Sequence, residues 1–212
     1  MHIPRNQIPA SPRGFASLIC QSEEGSYNEG ASTSSSRKAK NLMPTTSTQE
    51  HRRRAPKSLT VCVLTVSDTR TLETDEGGAL IESMLQAAEH TVRARRIVPD
   101  EQEQIAAVAR ELLRIDGVQA LLVTGGTGLA ARDQTTEAIE ALYDALIPGY
   151  GELFRMLSFQ EIGPSAMLSR SSAGRVGQQV VITMPGSPAG VRLAMERLIV
   201  PELPHLVFHA GG

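Results

Sequence analysis

A glycine-rich segment that directly follows an apolar run is the feature that most limits how this chain can fold. The run from 118 to 123 is too short for an independent helix, and it stops at Thr124, Gly125, Gly126, Thr127 and Gly128. Helical spacing resumes at Ala138, so the pattern predicts a buried strand, a loop and a helix. Glycine lets backbone amides approach a phosphate, and the following helix start adds partial positive charge. The loop is therefore a candidate anion site.

An Arg-Asp pair follows the glycines. Arg132 has the fork geometry that clamps phosphate oxygens, and Asp133 offers a carboxylate for a magnesium ion. The structural alternative is a simple connector in which Asp133 serves only as a helix N-cap. The residues alone leave both interpretations open.

Charge is divided unevenly along the chain. Residues 1–58 contain nine Lys or Arg and four Glu, and their serine-rich stretches cannot form a core, which predicts a disordered N-terminal extension. Residues 59–212 contain twelve Arg, nineteen Asp or Glu and no Lys, and they form the predicted folded domain. This acidic balance argues against nucleic acid as a partner and favours small-molecule substrates. We interpret the basic cluster at 52–57 as a solvated linker.

Targeting signals and cysteine patterns point to one compartment. No apolar segment has the length of a secretory signal or of a membrane helix. The two cysteines, Cys20 and Cys62, form neither a disulfide framework nor a metal-binding spacing. We therefore expect a soluble, cytoplasmic protein with no membrane partner.

Strand and helix patterns alternate through residues 59–212. This order predicts an α/β fold, a three-layer, mostly parallel Rossmann-like sheet with helices on both faces. No Gly-x-Gly-x-x-Gly fingerprint is present, and no lysine follows position 57, so neither a dinucleotide motif nor a P-loop is available. A helix is predicted through Ala138 to Leu146, ending at Pro148. His90 is interpreted as a helix cap or surface residue.

Three further strand ends carry small polar residues. Ser67 and Asp68 follow the first strand, where they serve either as ligand contacts or as a turn. Asp100 follows the second strand, and its spacing to Glu103 favours a capping box over a metal site shared with Asp133. The last strand ends at 185–188, where Ser187 is a predicted N-cap.

Read together, these motifs resemble one known family. The matching strings are Thr65-Val66-Ser67-Asp68, Ile97-Val98-Pro99-Asp100, Thr124-Gly125-Gly126-Thr127-Gly128, Arg132-Asp133, Gly149-Tyr150-Gly151-Glu152, Arg155-Met156-Leu157-Ser158, Ser169-Arg170 and Pro185-Gly186-Ser187. Over residues 59–207 their order resembles the molybdopterin-binding family of molybdenum cofactor biosynthesis, the MoaB/MogA type, and is closer to the MoaB branch. One departure is Glu89, which stands where the family has glycine before histidine.

The resemblance implies an activity. Active members transfer AMP from ATP to the terminal phosphate of molybdopterin with Mg²⁺, and they assemble as trimers or hexamers. Their functional carboxylates correspond to Asp100 and Asp133, which are thus the implied catalytic and metal-binding residues. Because some MoaB members lack these aspartates, their retention favours an active molybdopterin adenylyltransferase. Other proteins of the same pathway are the implied further partners.

The remaining site residues follow from the same resemblance. Thr124 to Gly128 and Arg132 are expected to hold phosphates, and Ser67, Asp68, Gly186 and Ser187 to contact pterin or nucleotide. Glu152 and Ser169 lie in matching motifs and join the implied substrate-binding set. Two alternatives remain: a non-catalytic molybdopterin-binding or assembly protein of the pathway, and a CinA-like nucleotide pyrophosphatase, which the short C-terminus disfavours.

Overall fold

A computed structural model describes residues 54–212, so most of the predicted N-terminal extension lies outside the described part of the chain. The strands are β1 (Thr60–Val66), β2 (Thr91–Val98), β3 (Ala120–Thr124), β4 (Ala145–Leu146), β5 (Ala173–Val176) and β6 (Gln179–Met184). The helices are α1 (Glu76–Ala87), α2 (Gln102–Leu113), α3 (Thr135–Glu140), α4 (Pro148–Ile162), α5 (Pro188–Ala194) and α6 (Val200–Ala210). A 3₁₀ segment, Gly163–Leu168, follows α4, and a π-helical turn, Met195–Ile199, joins α5 to α6.

The six strands form one sheet in the order β2-β1-β3-β6-β5-β4. Strands β2, β1, β3 and β6 are parallel, whereas β5 and β4 add an antiparallel edge. From β1 the chain goes outward to β2 on one side and then to β3 on the other. This reversal creates the crevice at which open α/β sheets bind ligands.

The central strands are apolar on both faces because each face is covered by helices. Alternate residues of β1 point to opposite cores: Val61 and Val63 to one, Cys62 and Leu64 to the other. The first core packs against α1, α4, α5 and α6, and the second against α2 and α3. This arrangement confirms the predicted three-layer fold.

The predicted helix from Ala138 to Leu146 is wrong in its second half. Helix α3 ends at Glu140, and Ala145 and Leu146 form β4 against β5. The ladder continues on either side, since Asp144 N donates to Arg175 O at 2.8 Å and Ile147 N to Ala173 O at 2.7 Å. Tertiary pairing thus overrides the local helical spacing.

Strand β5 has no recognisable strand pattern in the sequence, and the helix end predicted at Pro148 is wrong. Gly174 in β5 has the Tyr143 ring where its own side chain would be, 2.3 Å from the position of a Cβ. Pro148 begins α4 because proline fits the first helical turn, where its missing N–H has no partner to lose. No helix between residues 54 and 212 combines the length and apolar character needed to cross a membrane.

Glu89 adopts a left-handed backbone conformation, with φ of 62°. A side chain in this region costs about 1–2 kcal/mol, and glycine avoids that cost. We expect Glu89→Gly to raise the free energy of unfolding by about 0.5–1 kcal/mol, since glycine's greater unfolded-state entropy offsets part of the gain.

Chemical denaturation of the two proteins measures this difference. The matched control is Glu111→Gly on the exposed surface of α2, which should lose about 1 kcal/mol because glycine is unfavourable inside a helix. An equal decrease in the free energy of unfolding in both variants would contradict the assignment of backbone strain to Glu89.

His90 is buried, contrary to the surface or cap position predicted for it. Its side chain is 6 % exposed, and neither ring nitrogen has a hydrogen-bond partner among residues 54–212. Burial disfavours the imidazolium and lowers the pKa of His90 below its ordinary value. Its backbone N–H donates to Leu85 O at 2.9 Å.

The depressed pKa of His90 predicts acid sensitivity. Below the unfolded-state pKa of about 6.5, the unfolded chain takes up a proton that the folded chain resists, so stability falls as pH drops. The slope from this one group approaches at most about 1.4 kcal/mol per pH unit. We expect His90→Leu to reduce the loss of stability between pH 7 and 5, measured by urea unfolding. An unaltered slope in His90→Leu would refute this prediction.

Candidate functional site

Three parallel strands end side by side at the crevice, and Gly125 lies between their ends. A Cβ on Gly125 would be 2.3 Å from Val66 O, and its φ is 100°. On the other side, a Cβ on Gly186 would be 3.1 Å from the Gly125 Cα. The Gly125 N–H donates to Met184 O at 3.1 Å. Only glycine fits at Gly125, because the neighbouring backbone occupies the space that a side chain would take.

The glycine loop turns its carbonyl groups toward protein donors. Gly126 O accepts from Thr135 N at 3.2 Å and Thr127 O from Arg170 N at 3.0 Å. Gly128 O accepts from Arg170 Nε at 2.7 Å. By contrast, the N–H groups of Gly126, Thr127 and Gly128 donate to no acceptor within residues 54–212. Backbone amides left free in a turn form the kind of concavity that binds anions.

Asp100 does not cap a helix, so the interpretation favoured by its spacing is wrong. The N-cap of α2 is Glu101, which makes no side-chain capping bond. Instead, Asp100 Oδ1 accepts from Gln134 N at 2.9 Å, on the segment that follows Asp133. The Gln134 side chain in turn accepts from Gln102 N at 3.1 Å and so serves the start of α2. Asp100 therefore faces the glycine loop.

Asp133 also binds the loop rather than a helix end. The N-cap of α3 is Gln134, and Asp133 Oδ2 accepts from Ala130 N at 3.0 Å. A Cβ on Gly128 would be 2.6 Å from this oxygen. The N-cap alternative for Asp133 is therefore wrong, and Gly128 leaves the room that its carboxylate occupies.

Each carboxylate keeps one oxygen that no described residue binds, Oδ2 of Asp100 and Oδ1 of Asp133. The buried hydroxyl of Thr135 also has no partner in this part of the chain, and it lies beside Gly126, as does Asp100 Oδ2. Residues 54–212 contain no group of three or more His, Cys, Asp or Glu side chains arranged for a metal ion. Two carboxylates nevertheless fit Mg²⁺, which usually binds one or two protein carboxylates, waters and substrate phosphates.

Neighbouring charges perturb Asp100. Burial raises its pKa first, and the negative charges of Asp133 and Asp68 raise it further. The Gln134 N–H and the Arg132 guanidinium act in the opposite direction. A cation bound between the carboxylates would relieve the repulsion, because it favours the ionised form of both.

Asp68 orients two groups of the site. Its Oδ1 accepts from Asp100 N at 3.0 Å, and its Oδ2 lies 3.4 Å from Arg132 Nη2. The Arg132 side chain is 71 % exposed, so this ion pair is weak and the guanidinium is available to an anionic ligand.

The site opens into a cavity of about 690 Å³, a size typical of small-molecule pockets. Its lining combines the loop, both carboxylates and the end of β6 with an apolar wall. Of the residues predicted from sequence, the cavity is lined by Ser67, Asp100, Gly125, Gly126, Thr127, Gly128, Arg132, Asp133, Ser169, Gly186 and Ser187. The apolar wall includes Phe154, Ile162, Ala166, Leu168 and Leu193.

Three predicted residues do not line this cavity. Thr124 is fully buried beneath it and donates to Pro185 O at 2.8 Å, and Asp68 stands behind Asp100 and Arg132. Glu152 lines a separate cavity of about 390 Å³ on α4, so it is not brought together with the carboxylates of this chain. Ser169 borders both cavities.

Some predicted contacts serve two purposes. Ser67 Oγ accepts from Thr69 N at 3.3 Å and Arg70 N at 3.2 Å, which is the predicted turn, yet Ser67 also lines the cavity. Ser187 Oγ accepts from Gly190 N at 3.2 Å and caps α5 as predicted.

Sequence reasoning missed Arg70. Its Nη1 donates to Gly186 O at 3.1 Å and lies 3.9 Å from the buried Asp75 carboxylate. Asp75 is held by Thr65 Oγ1 at 2.7 Å and Gly78 N at 2.9 Å. The sequence signal for this role is an arginine in the turn after a buried strand, followed by an aspartate five residues later. Only the fold brings the Arg70 side chain to the end of β6.

Comparisons with known proteins identify the family of the chain. Residues 62–205 match the family model described as "Probable molybdopterin binding domain". The Molybdenum cofactor biosynthesis protein B of Bacillus cereus is 47% identical over 163 residues, which cover 76% of this chain and 96% of the relative. The protein of the same name from Bacillus subtilis is 46% identical over 162 residues, covering 76% and 95%.

Solved structures give the same result. A crystal structure of Molybdenum cofactor biosynthesis protein B superimposes with a TM-score of 0.71 at 48% identity, covering 74% of this chain and 98% of the other. The tungsten cofactor synthesizing protein MoaB from Pyrococcus furiosus gives 0.68 at 34% identity, covering 74% and 100%. A MogA structure gives 0.65 at 26% identity, covering 71% and 99%. The chain belongs to the molybdopterin-binding domain family of molybdenum cofactor biosynthesis, and it is more similar to its MoaB members than to MogA.

Proposed function

We propose that this protein is a Mg²⁺-dependent molybdopterin adenylyltransferase, which transfers AMP from ATP to the terminal phosphate of molybdopterin. The observation that carries the proposal is the convergence of Asp100 and Asp133 on a glycine loop whose amides are free. Each aspartate uses one oxygen to hold the loop and leaves the other toward a ligand. The membership of the family supplies the pterin substrate.

The reaction joins two anionic groups. An oxygen of the pterin phosphate attacks the α-phosphorus of ATP, the bond from that phosphorus to the β-bridging oxygen breaks, and pyrophosphate leaves with the electron pair. Little covalent chemistry is needed from the protein, so alignment and charge neutralisation lower most of the barrier. A Mg²⁺ ion held by Asp100 and Asp133 would supply positive charge to offset the negative charge that develops on the leaving group.

The chain's own residues divide this work. The free amides of Gly126 to Gly128 and the Arg132 guanidinium hold phosphate oxygens, and Asp100 and Asp133 hold the metal. Ser67, Gly186 and Ser187 border the polar end of the cavity. The apolar wall at Phe154 and Leu193 offers a surface for a flat heterocycle and excludes water from the reacting phosphates.

The test is turnover of the purified protein with molybdopterin, ATP and Mg²⁺, read as pyrophosphate release and adenylylated pterin. We expect Asp100→Asn and Asp133→Asn each to lower kcat by about 100-fold or more, since each removes a charge that holds the metal. Asparagine retains an oxygen for Gln134 N or Ala130 N, so both variants should keep the loop. Asp116→Asn, on an exposed turn, is the matched control and should have normal activity.

Other outcomes favour the other functions. Tight molybdopterin binding by the wild type without AMP transfer would favour a non-catalytic binding or assembly protein. Hydrolysis of ADP-ribose in the absence of pterin would favour a CinA-like pyrophosphatase. Full turnover by Asp133→Asn would overturn the metal role given to Asp133.

We further infer that the protein is a homo-oligomer, a trimer or a hexamer. Large apolar side chains recur every third residue along α4 and continue into the 3₁₀ segment, and they are 47–75 % exposed. They are Leu153, Met156, Phe159, Ile162, Met167 and Leu168. A stripe of this kind, large for the surface of a monomer, supports an interface between copies of the chain.

Sedimentation velocity at micromolar concentration tests the oligomer. We expect the wild type to sediment as three or six chains and Phe159→Glu to dissociate, because an unpaired charge at a buried apolar interface is unfavourable. Gln160→Glu adds the same charge one residue further along α4 and should leave the assembly intact. A monomeric wild type would overturn this inference.

A further inference from the structure

Arg170 contacts more of the glycine loop than any residue assigned to the site. Its backbone N–H donates to Thr127 O at 3.0 Å. Its side chain donates from Nε to Gly128 O at 2.7 Å and from Nη2 to Asp133 O at 2.6 Å, and Nη1 pairs with Glu137. The Arg170 carbonyl accepts from Thr136 Oγ1 at 3.2 Å. One residue thus bridges both ends of the loop and the start of α3.

The side-chain bonds of Arg170 end on carbonyl oxygens of the loop. A peptide group that points its carbonyl toward one side points its N–H toward the other, because the two are antiparallel in a trans peptide. By binding the carbonyls of Gly128 and Asp133, the guanidinium keeps these partial negative charges away from the cavity. The N–H groups opposite these two carbonyls are those of Leu129, which donates to no acceptor within residues 54–212, and of Gln134, which donates to Asp100 Oδ1 at 2.9 Å. The bond from the Arg170 backbone N–H to Thr127 O likewise sets the direction of the free Gly128 N–H. Arg170 therefore orients amides at the end of the loop that are available to an anion, together with the amide that holds Asp100.

The Arg170 side chain is charged and partly open to solvent, unlike a side chain that only fills the core. The Arg170 side chain is 27 % exposed, and it reaches the loop from the second cavity, which it lines with Arg155 and Glu152. The ion pair to Glu137, whose side chain is half exposed, balances the guanidinium charge but adds little by itself. Lysine cannot replace arginine here, because one ammonium cannot hold two carbonyls and a carboxylate in a fixed fork.

We propose that Arg170 is a positioning residue that makes the glycine loop an anion site: it binds the loop carbonyls from behind and thereby turns the loop amides toward phosphate. The ligand class is a polyphosphate, and the inference rests on the proposed function in so far as ATP is the polyphosphate in question. Arg170 contacts the loop, the Asp133 backbone and the start of α3, and it does not line the main cavity, so its effect on substrate is indirect.

The experiment measures the Kd of Mg·ATP by calorimetry for the full chain, with Arg170→Ala and Arg170→Lys. We expect binding to weaken about 10- to 100-fold in Arg170→Ala and nearly as much in Arg170→Lys, the loss expected when charge-assisted bonds are removed. Free guanidinium at millimolar concentration should enter through the second cavity and restore much of the affinity of Arg170→Ala. Rescue by guanidinium is a readout that a purely structural role would not give.

Matched variants make the result specific. Arg175→Lys changes an arginine that pairs with Asp144 and binds the Gly177 carbonyl far from the loop, and it should bind Mg·ATP normally. Glu137→Gln removes the ion pair alone and should cost less than threefold. If Arg170→Ala unfolds, as judged by circular dichroism, Arg170→Lys decides the question.

The outcomes separate this inference from the proposed function. Wild-type affinity in Arg170→Lys and Arg170→Ala, or weakened binding that guanidinium does not restore, overturns the role of Arg170. A wild type that binds no Mg·ATP also overturns it. A wild type that binds Mg·ATP in an Arg170-dependent way but transfers no AMP supports the role of Arg170 and refutes the adenylyltransferase proposal alone.

Discussion

The close approach of three strand ends at Gly125 is the constraint on which the rest of the site depends. With the Val66 carbonyl 2.3 Å from where a Cβ would stand, and Gly186 on the other side, the backbone turns sharply out of β3. The turn places the next three amides at the switch point of the sheet, where β1 and β3 diverge. A side chain at Gly125 would push β1 and β6 apart and move every group that follows.

Asp100 and Asp133 are held in the same way, by one backbone amide each. Each carboxylate binds a backbone amide of the loop region with one oxygen and has no described partner for the other, so folding fixes its position without using its full bonding capacity. Gly126 and Gly128 lie against these carboxylates, and a Cβ on either would overlap a carboxylate oxygen. The absence of side chains at these two glycines thus leaves the space that the carboxylates occupy. The resulting repulsion among Asp100, Asp133 and Asp68 is an unfavourable term that a bound cation would reverse.

Local patterns predicted the parallel strands of the sheet well and its antiparallel edge poorly. The strands β1, β3 and β6 are apolar throughout because they are covered on both faces, so their identity is visible in the sequence. The short strands β4 and β5 are not, since two and four residues carry too little pattern, and β4 pairs with a strand about thirty positions away in the chain. The spacing of Asp100 to Glu103 satisfies the local rule for a helix cap. The Asp100 carboxylate instead accepts from the Gln134 amide, which lies far away in the sequence and cannot be identified from local spacing.

The sequence by itself determined the layered fold, the family and the glycine-rich loops at the ends of the strands, because burial on two faces and glycine-rich turns leave direct signatures in residue order. It did not determine which of those residues meet. Only the tertiary structure decided that Asp100 turns toward the glycine loop, that Glu152 faces another cavity, and that Arg70 and Arg170 reach the site. These outcomes depend on hydrogen bonds between segments that lie tens of residues or more apart in the chain, and such bonds are selected by the packing of the whole sheet and its helices.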